Sequence, residues 1–140
     1  MMRFRCGGLV AVCLGMLCVG PVALADGGAT RGVVVAVPSG AHVEWLQSQT
    51  DASGPDGLTL RHFFLAPDLA REDPDVALTD MQALCEQFAL PHLSSVGPQP
   101  QQIVISLSDR PVAFGDSDPE ATQLFAGYAI SPPHCVEEMF

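Results

Sequence analysis

The N-terminal segment restricts most strongly what this chain can fold into, because it decides which residues remain to form the domain. Two arginines within the first five residues precede an apolar run over residues 6–20, and Pro21 ends that run. Ala23 and Ala25 place small residues three positions and one position before Asp26. This layout is typical of a secretory signal peptide. We therefore expect cleavage between Ala25 and Asp26, which leaves a single domain over residues 26–140 in the periplasm.

An uncleaved membrane anchor is the alternative interpretation of the same segment. The apolar stretch over residues 6–25 is about 20 residues long, which is enough to span a bilayer. Pro21 and the A-L-A sequence at 23–25 favour cleavage over anchoring. No membrane association is expected once the leader has been removed.

The cysteine count changes with the leader. Three of the five cysteines lie in residues 1–25, and the remaining pair is Cys85 and Cys135. In an oxidising compartment such a pair indicates a disulfide. Two buried free thiols or a metal site are the alternatives, although a metal site needs further ligands at matched spacing. Neither cysteine lies in a C-x-x-C sequence, so a thiol oxidoreductase is not indicated.

The charge of the mature chain excludes several classes of partner. All sixteen acidic residues lie at or after Asp26, against four arginines and no lysine, so the mature domain has a formal net charge of −12. Nucleic acids and anionic membrane surfaces bind clustered cations, so neither is an expected partner. Dinucleotide and phosphate-loop glycine motifs are missing from the sequence, and no cofactor is expected.

Apolar patterning predicts a sheet of five to six strands. Turn sequences follow the first two strands, so two successive hairpins are expected, and the β-branched first strand is expected to be buried. Residues near the C-terminus predict a final irregular hairpin. The predicted strands are residues 33–37, 42–49, 58–65 and 103–107, an edge strand at 112–114, and the pair 128–131 and 135–139.

Two helices are predicted. Asp73 and Pro74 form a helix start, and a second, short helix is expected over residues 118–125, where Asp118 and Pro119 provide the same kind of start. The fold class is therefore α+β: a mainly antiparallel sheet with one packed amphipathic helix and a short second helix. One apolar stripe at helical spacing runs along the first helix, through Ala77, Met81, Leu84, Cys85 and Phe88.

Short motifs are distributed over the whole mature chain: V-P-S-G at 37–40, G-P-Q-P at 97–100, I-S-L-S-D-R-P at 105–111, F-G at 114–115, D-P-E-A-T-Q at 118–123 and C-x-x-E-M-F at 135–140. With these motifs the chain resembles a family of small exported alphaproteobacterial proteins of unknown function. The resemblance implies an exported domain. It implies no catalytic residue, because the family has no established activity.

The end of the strand at 103–107 is the best candidate binding site. Ser106, Ser108, Asp109 and Arg110 follow one another where a strand meets a loop, and binding residues are concentrated at such places. Arg110 is one of only four cations in the mature chain, which favours recognition of a carboxylate or sulfate. The alternative interpretation is that Arg110 pairs with local acids and merely ends the strand.

Trp45 is a second candidate binding residue. Together with Phe63 it forms an exposed aromatic patch for a peptide or glycan in one interpretation, and part of the core in the other. The four histidines form no H-x-H, H-x-x-H or H-E-x-x-H motif, so a metal site requires distant groups such as His62 or His134 with carboxylates. The sequence thus assigns no metal ligand and no catalytic residue.

The leading functional hypothesis is a non-enzymatic periplasmic binding or interaction module, stabilised by one disulfide, whose partner is an envelope protein or peptide. One alternative is a small periplasmic hydrolase or other enzyme with a cleft near Asp109 and Arg110. A second alternative is a metal-binding protein. An interaction module is expected to present apolar surface, whereas an enzyme is expected to hold convergent titratable groups with perturbed pKa values in a cleft.

Overall fold

The computed structural model describes residues 32–54 and 57–139, and the predicted signal peptide with its cleavage site at Ala25 and Asp26 lies outside the described residues. These residues form six strands and one main helix. The strands are β1 (Val33–Val34), β2 (Glu44–Gly54), β3 (Gly57–Leu65), β4 (Gln102–Ser108), β5 (Gln123–Ser131) and β6 (His134–Glu138). The helix, α1 (Pro74–Leu84), lies between β3 and β4.

The six strands form one sheet in which the spatial order equals the order along the chain. Every neighbouring pair is antiparallel except β3 and β4, which run parallel with His62 opposite Ile105. Parallel neighbours need a crossover connection, and α1 with its flanking turns supplies it. The predicted α+β class with a mostly antiparallel sheet is confirmed, and the single parallel pair makes the sheet mixed.

The predicted pair of N-terminal hairpins is confirmed, but the prediction of a buried first strand was wrong. Only Val33 and Val34 pair with β2, and their exposed fractions are 56% and 63%. Among the described residues, β1 lies at the edge of the sheet and has a neighbouring strand on one side only. The chain then turns at Val37 to Gly40, where the Gly40 amide donates to the Val37 carbonyl at 3.0 Å.

Helix α1 begins as predicted. The Asp73 carboxylate accepts a hydrogen bond from the Asp75 amide at 2.9 Å, and Pro74 occupies the first turn. A π-helical turn at Cys85–Ala89 and a 3-10 turn at Leu90–His92 follow the helix. The predicted apolar stripe packs on one face of the sheet, where the largest fully buried partners are Phe64, Ile103, Ile105, Leu107 and Tyr128.

The second predicted helix, over residues 118–125, is wrong. Asp118 does cap one turn, because its carboxylate accepts the Glu120 amide at 2.9 Å and its carbonyl accepts the Ala121 amide at 3.1 Å. The chain then enters β5 at Gln123. Alternate residues of β5 face the core beside β4, so strand pairing and burial prevail over the local helix start.

Residues 112–114, predicted as an edge strand, form no strand. The Asp116 amide donates to the Ala113 carbonyl at 3.0 Å, and Gly115 within this turn has a φ of +84°. A positive φ at that position of a β-turn favours glycine. The turn places Phe114 at the surface of the face opposite α1.

The predicted disulfide joins Cys85, directly after α1, to Cys135 in β6. Polar contacts surround it: Gln82 Nε2 donates to the Cys135 carbonyl at 2.7 Å, and Glu86 Oε1 accepts the Cys135 amide at 3.3 Å. The hydrogen bond from Gln82 is the main reason why the pKa of Glu86 lies below its usual value, and the Cys135 amide adds to the effect. The end of the helix is therefore bonded to the edge strand both covalently and through polar groups.

A buried carboxylate fixes the first loop to α1. Asp80, on the helix, accepts a hydrogen bond from the Ser39 amide at 3.0 Å and a short one from the Ser39 hydroxyl. The Ser39 oxygen in turn accepts the Ala41 amide at 3.0 Å. Through these bonds the loop between β1 and β2 is held against the helix.

Replacing this carboxylate is expected to destabilise the domain. Asp80→Ala removes both hydrogen bonds that the buried carboxylate accepts from Ser39, and bonds to a charged group are the stronger ones, so the free energy of unfolding should fall by about 2 kcal/mol. Urea denaturation measures the change. In a double-mutant cycle with Ser39→Ala the two losses should be non-additive, because both variants remove the bond between the Ser39 hydroxyl and the Asp80 carboxylate. Additive losses would show that the pair does not interact.

Candidate functional site

A cavity of about 330 Å³ lies between the sheet and the turns that follow α1. We call it the Trp45 cavity. Aromatic and aliphatic side chains form most of its wall, and a hydroxyl and two imidazoles are its polar groups. The lining residues are Val33, Trp45, Ser48, Leu60, His62, Phe88 and His92.

Aromatic rings converge on Phe88, which the π-helical turn places over the sheet. The ring centroids of Phe88 and Trp45 are 5.7 Å apart, and those of Phe88 and Phe64 are 5.4 Å apart with the rings nearly perpendicular. His92, one helical turn later, stacks on Phe88 at 4.4 Å. Tilted and edge-to-face arrangements of this kind stabilise aromatic clusters beyond their buried area. One wall of the cavity therefore consists of aromatic rings that pack against one another.

Three side chains form a hydrogen-bonded chain on the strand side of the cavity. Trp45 Nε1 donates to Ser48 Oγ at 3.0 Å, and Ser48 Oγ lies 2.6 Å from His62 Nδ1. The other ring nitrogen of His62, Nε2, is buried without a hydrogen-bond partner among the described residues. Burial, helped by the nearby His92, lowers the pKa of His62 to about 4. His62 is consequently neutral at neutral pH.

The Ser48–His62 pair contains the elements of a nucleophile and a base, but its surroundings do not suit that chemistry. A general base works best with a pKa near the operating pH, and a third group usually orients it. The pKa of His62 is about 4, and no described residue hydrogen-bonds its Nε2. The pair suits a polar anchor in an apolar binding cavity.

The candidate site at the end of β4 is occupied by internal contacts. Ser108 Oγ donates to the Arg110 carbonyl at 2.5 Å. The Arg110 guanidinium lies 3.3 Å from an Asp109 oxygen and 3.7 Å from a Glu120 oxygen. The same Asp109 oxygen accepts the Thr122 amide at 3.1 Å. Here Arg110 pairs with local acids, and these groups hold the loop between β4 and β5.

The remaining candidates separate onto two faces of the sheet. Trp45 lies opposite Phe64 and faces α1, where it forms part of the Trp45 cavity. Ser106 lies opposite Phe63 and faces away from α1. Trp45 and Phe63 are thus on opposite faces and form no common patch.

Sequence reasoning considered His62 only as a distant metal ligand, and it missed Ser48 for a structural reason. In a regular strand, residues three apart such as Trp45 and Ser48 face opposite sides. An irregularity in the pairing of β2 with β3, between Trp45 and Gln47, changes the phase, so Trp45 and Ser48 stand opposite Phe64 and His62 on one face. Phe88 and His92 are four positions apart, and this spacing indicates in the sequence that both lie on one side of a helical turn.

Within the described ranges, 32–54 and 57–139, no three histidine, cysteine or acidic side chains come together as metal ligands. His62 bonds Ser48, and His134 Nδ1 lies 3.3 Å from Glu86 Oε1. Helices long and apolar enough for a membrane span are not found in these ranges either.

A family model described as a family of unknown function (DUF6497) matches residues 18–140, which include everything that the structure describes. The comparisons with curated proteins and with solved structures find no match. The predicted resemblance to a family of unknown function is confirmed by this match.

Proposed function

The chain belongs to the family of unknown function DUF6497, and because this membership brings no activity with it, we propose from the Trp45 cavity that the protein is a non-enzymatic binding module. Its proposed ligand is an apolar side chain of an extended segment in an envelope protein or peptide. The observation that carries the proposal is the cavity itself, which is largely apolar and has a few polar anchors. Its volume of about 330 Å³ lies within the range of ligand sites.

The position of the cavity favours a peptide. Val33 of β1 contributes to the lining, and β1 pairs only with Glu44 and Trp45 of β2. Within the described residues, no strand lies beside Gln47 to Thr50 on that outer edge. An extended peptide binds such an edge through its backbone while a side chain enters a neighbouring pocket. The free edge of β2 can therefore pair with the peptide backbone, and the Trp45 cavity can accept one of its side chains.

The excess of acidic residues favours a neutral or basic peptide over an acidic one. The chain has sixteen acidic residues and six basic ones. Opposite charge speeds association and like charge opposes it. A neutral or basic segment is the proposed partner, with an aliphatic or aromatic residue as its anchor.

The proposed compartment is the periplasm. Support comes from the signal-like sequence of residues 1–25 and from the Cys85–Cys135 disulfide, since disulfides persist in oxidising compartments. A hydrolase centred on Asp109 and Arg110 is not proposed, because both side chains are engaged in contacts of the β4–β5 loop.

Trp45 is the single tryptophan of the chain, so its fluorescence reports directly on the cavity. A short blocked peptide with phenylalanine between threonines should shift the emission of Trp45 in a saturable way. The same peptide with alanine at the centre should bind at least about tenfold more weakly, since it loses most of the buried apolar area. Equal affinities for the two peptides would refute the proposal.

A matched pair of variants locates the binding. Leu60→Phe adds volume inside the cavity and should weaken the phenylalanine peptide by about tenfold. Leu65→Phe makes the same change on the same strand but on the opposite face, and should leave the affinity unchanged. An identical response of both variants would contradict binding in the Trp45 cavity.

A further inference from the structure

A second cavity, of about 130 Å³, lies on the face of the sheet that is turned away from α1. We call it the Arg61 cavity. Arg61 of β3 lies beside Val104 of β4 on this face. The wall of this cavity holds the rings of Phe63, Phe114 and Phe125 together with the polar side chains of Ser106 and Asp116.

Arg61 lacks the partner that the other described arginines have. Arg71 pairs with Asp68 at 3.0 Å, and Arg110 pairs with Asp109. Within residues 32–54 and 57–139, Arg61 forms no ion pair, and its Nε is buried without a hydrogen-bond partner. A buried guanidinium N–H is costly unless an acceptor meets it. Although the chain is acidic, no described carboxylate lies within ion-pair distance of Arg61, so we expect its acceptor to come from outside the domain.

Aromatic rings surround the guanidinium. The Cζ atom of Arg61 lies 6.0 Å from the centroid of the Phe114 ring, which is within the range of a cation–π contact. Phe63 meets Phe114 edge to face at 5.9 Å. Phe114 and Phe125 are 46% and 55% exposed, so the apolar wall opens to solvent. Clustered exposed aromatic rings mark interaction sites more often than isolated ones do.

Ser106 contributes a second unused polar group. It lies between Phe63 on β3 and Phe125 on β5, lines the Arg61 cavity and is only 4% exposed. Its hydroxyl forms no side-chain hydrogen bond within the described part of the chain. The cavity therefore presents a cation and a neutral donor that are both available to a ligand.

We propose that the Arg61 cavity binds a small ligand that carries a carboxylate on a flat apolar body. A carboxylate matches the planar fork of a guanidinium with two parallel hydrogen bonds, and the Ser106 hydroxyl supplies a further donor. The apolar body packs among Phe63, Phe114 and Phe125. Asp116 lies in the wall of the same cavity, so its charge opposes the ligand and limits the affinity. This site is distinct from the Trp45 cavity and independent of the proposed function.

Benzoate and its neutral isostere benzamide test the proposal in a titration of the full chain followed by NMR. Benzoate should bind saturably and at least about tenfold more tightly than benzamide. Arg61→Gln should reduce the affinity for benzoate to that for benzamide. The matched control Arg71→Gln removes the same charge from an exposed position and should change nothing. Undetectable benzoate binding at millimolar concentration, or equal affinities for the two compounds, would overturn the proposal.

Two surface variants keep the test decisive if Arg61→Gln does not fold. Phe114→Ala, in the exposed turn, should weaken benzoate several-fold. Asp116→Asn should strengthen it, because a like charge leaves the wall. A loss of affinity with Asp116→Asn, or a loss with Arg71→Gln equal to that with Phe114→Ala, would refute the site. Benzoate should leave the emission of Trp45 unchanged, so this result is separable from the peptide experiment.

Discussion

Removing the Cys85–Cys135 disulfide is expected to lower the free energy of unfolding by about 4 kcal/mol, the largest single effect that the structure predicts. The bond joins residues 50 positions apart. In the chain-entropy model, the open chain gains that much freedom when such a loop is released. Domains of this size have a total stability of roughly 5–15 kcal/mol, so the variant should be close to unfolding at elevated temperature.

Alanine is the suitable replacement, because both cysteines are buried and a serine hydroxyl would add a desolvation cost. Urea denaturation of Cys85→Ala/Cys135→Ala measures the loss. The single variant Cys135→Ala and the wild-type protein under reducing conditions should lose nearly as much, since each lacks the bond. A loss below about 1 kcal/mol in all three would contradict the chain-entropy argument.

Acidification between pH 6.5 and 4 is expected to lower the free energy of unfolding by up to about 3 kcal/mol through His62 alone. The pKa of His62 falls from 6.5 to about 4 on folding. Between those values the unfolded chain binds a proton that the folded chain does not. The contribution of His62 to the free energy of unfolding is therefore complete above pH 6.5 and decreases as the pH falls. Below about pH 4 this group causes no further loss.

His62→Gln tests the assignment, because glutamine can still hydrogen-bond Ser48 but does not titrate. Its stability should change little between pH 6.5 and 5 in urea denaturation. His92→Gln, which keeps the buried His62, should retain most of the decline. The depressed pKa of Glu86 adds a separate loss only at lower pH, once that carboxylate is protonated. A decline in His62→Gln as steep as in the wild type would refute the role of His62.

Local spacing was sufficient to predict the helix and its start, and the single cysteine pair left after the predicted leader was sufficient to predict the disulfide. Asp73, Pro74 and the apolar stripe all lie within one segment, so short-range patterns contain the needed information. At Asp118 the same kind of start signal occurs, yet burial of β5 against β4 decides the outcome. The parallel pairing of β3 with β4 depends on packing across the sheet, which no local pattern encodes.

The two cavities were harder to predict than the fold. The partner of Arg110 is its sequence neighbour Asp109, whereas the lack of a partner for Arg61 is visible only when the surrounding strands are in place. Sequence reasoning grouped Ser106 with Arg110 in one candidate site, whereas in the structure Ser106 lines the Arg61 cavity. To decide whether Arg61 or Arg110 is available to a ligand, one must know which face of the sheet each residue occupies.

The identity of spatial and chain order in the sheet bears on how the protein folds. Each hairpin forms between adjacent segments, so little loop entropy is lost before contacts are gained, and rapid early steps are expected. The crossover from β3 to β4 is the one pairing that must wait for an intervening helix. Cys135 lies in β6, the last strand along the described chain, so we expect the disulfide to form after β6 has paired with β5.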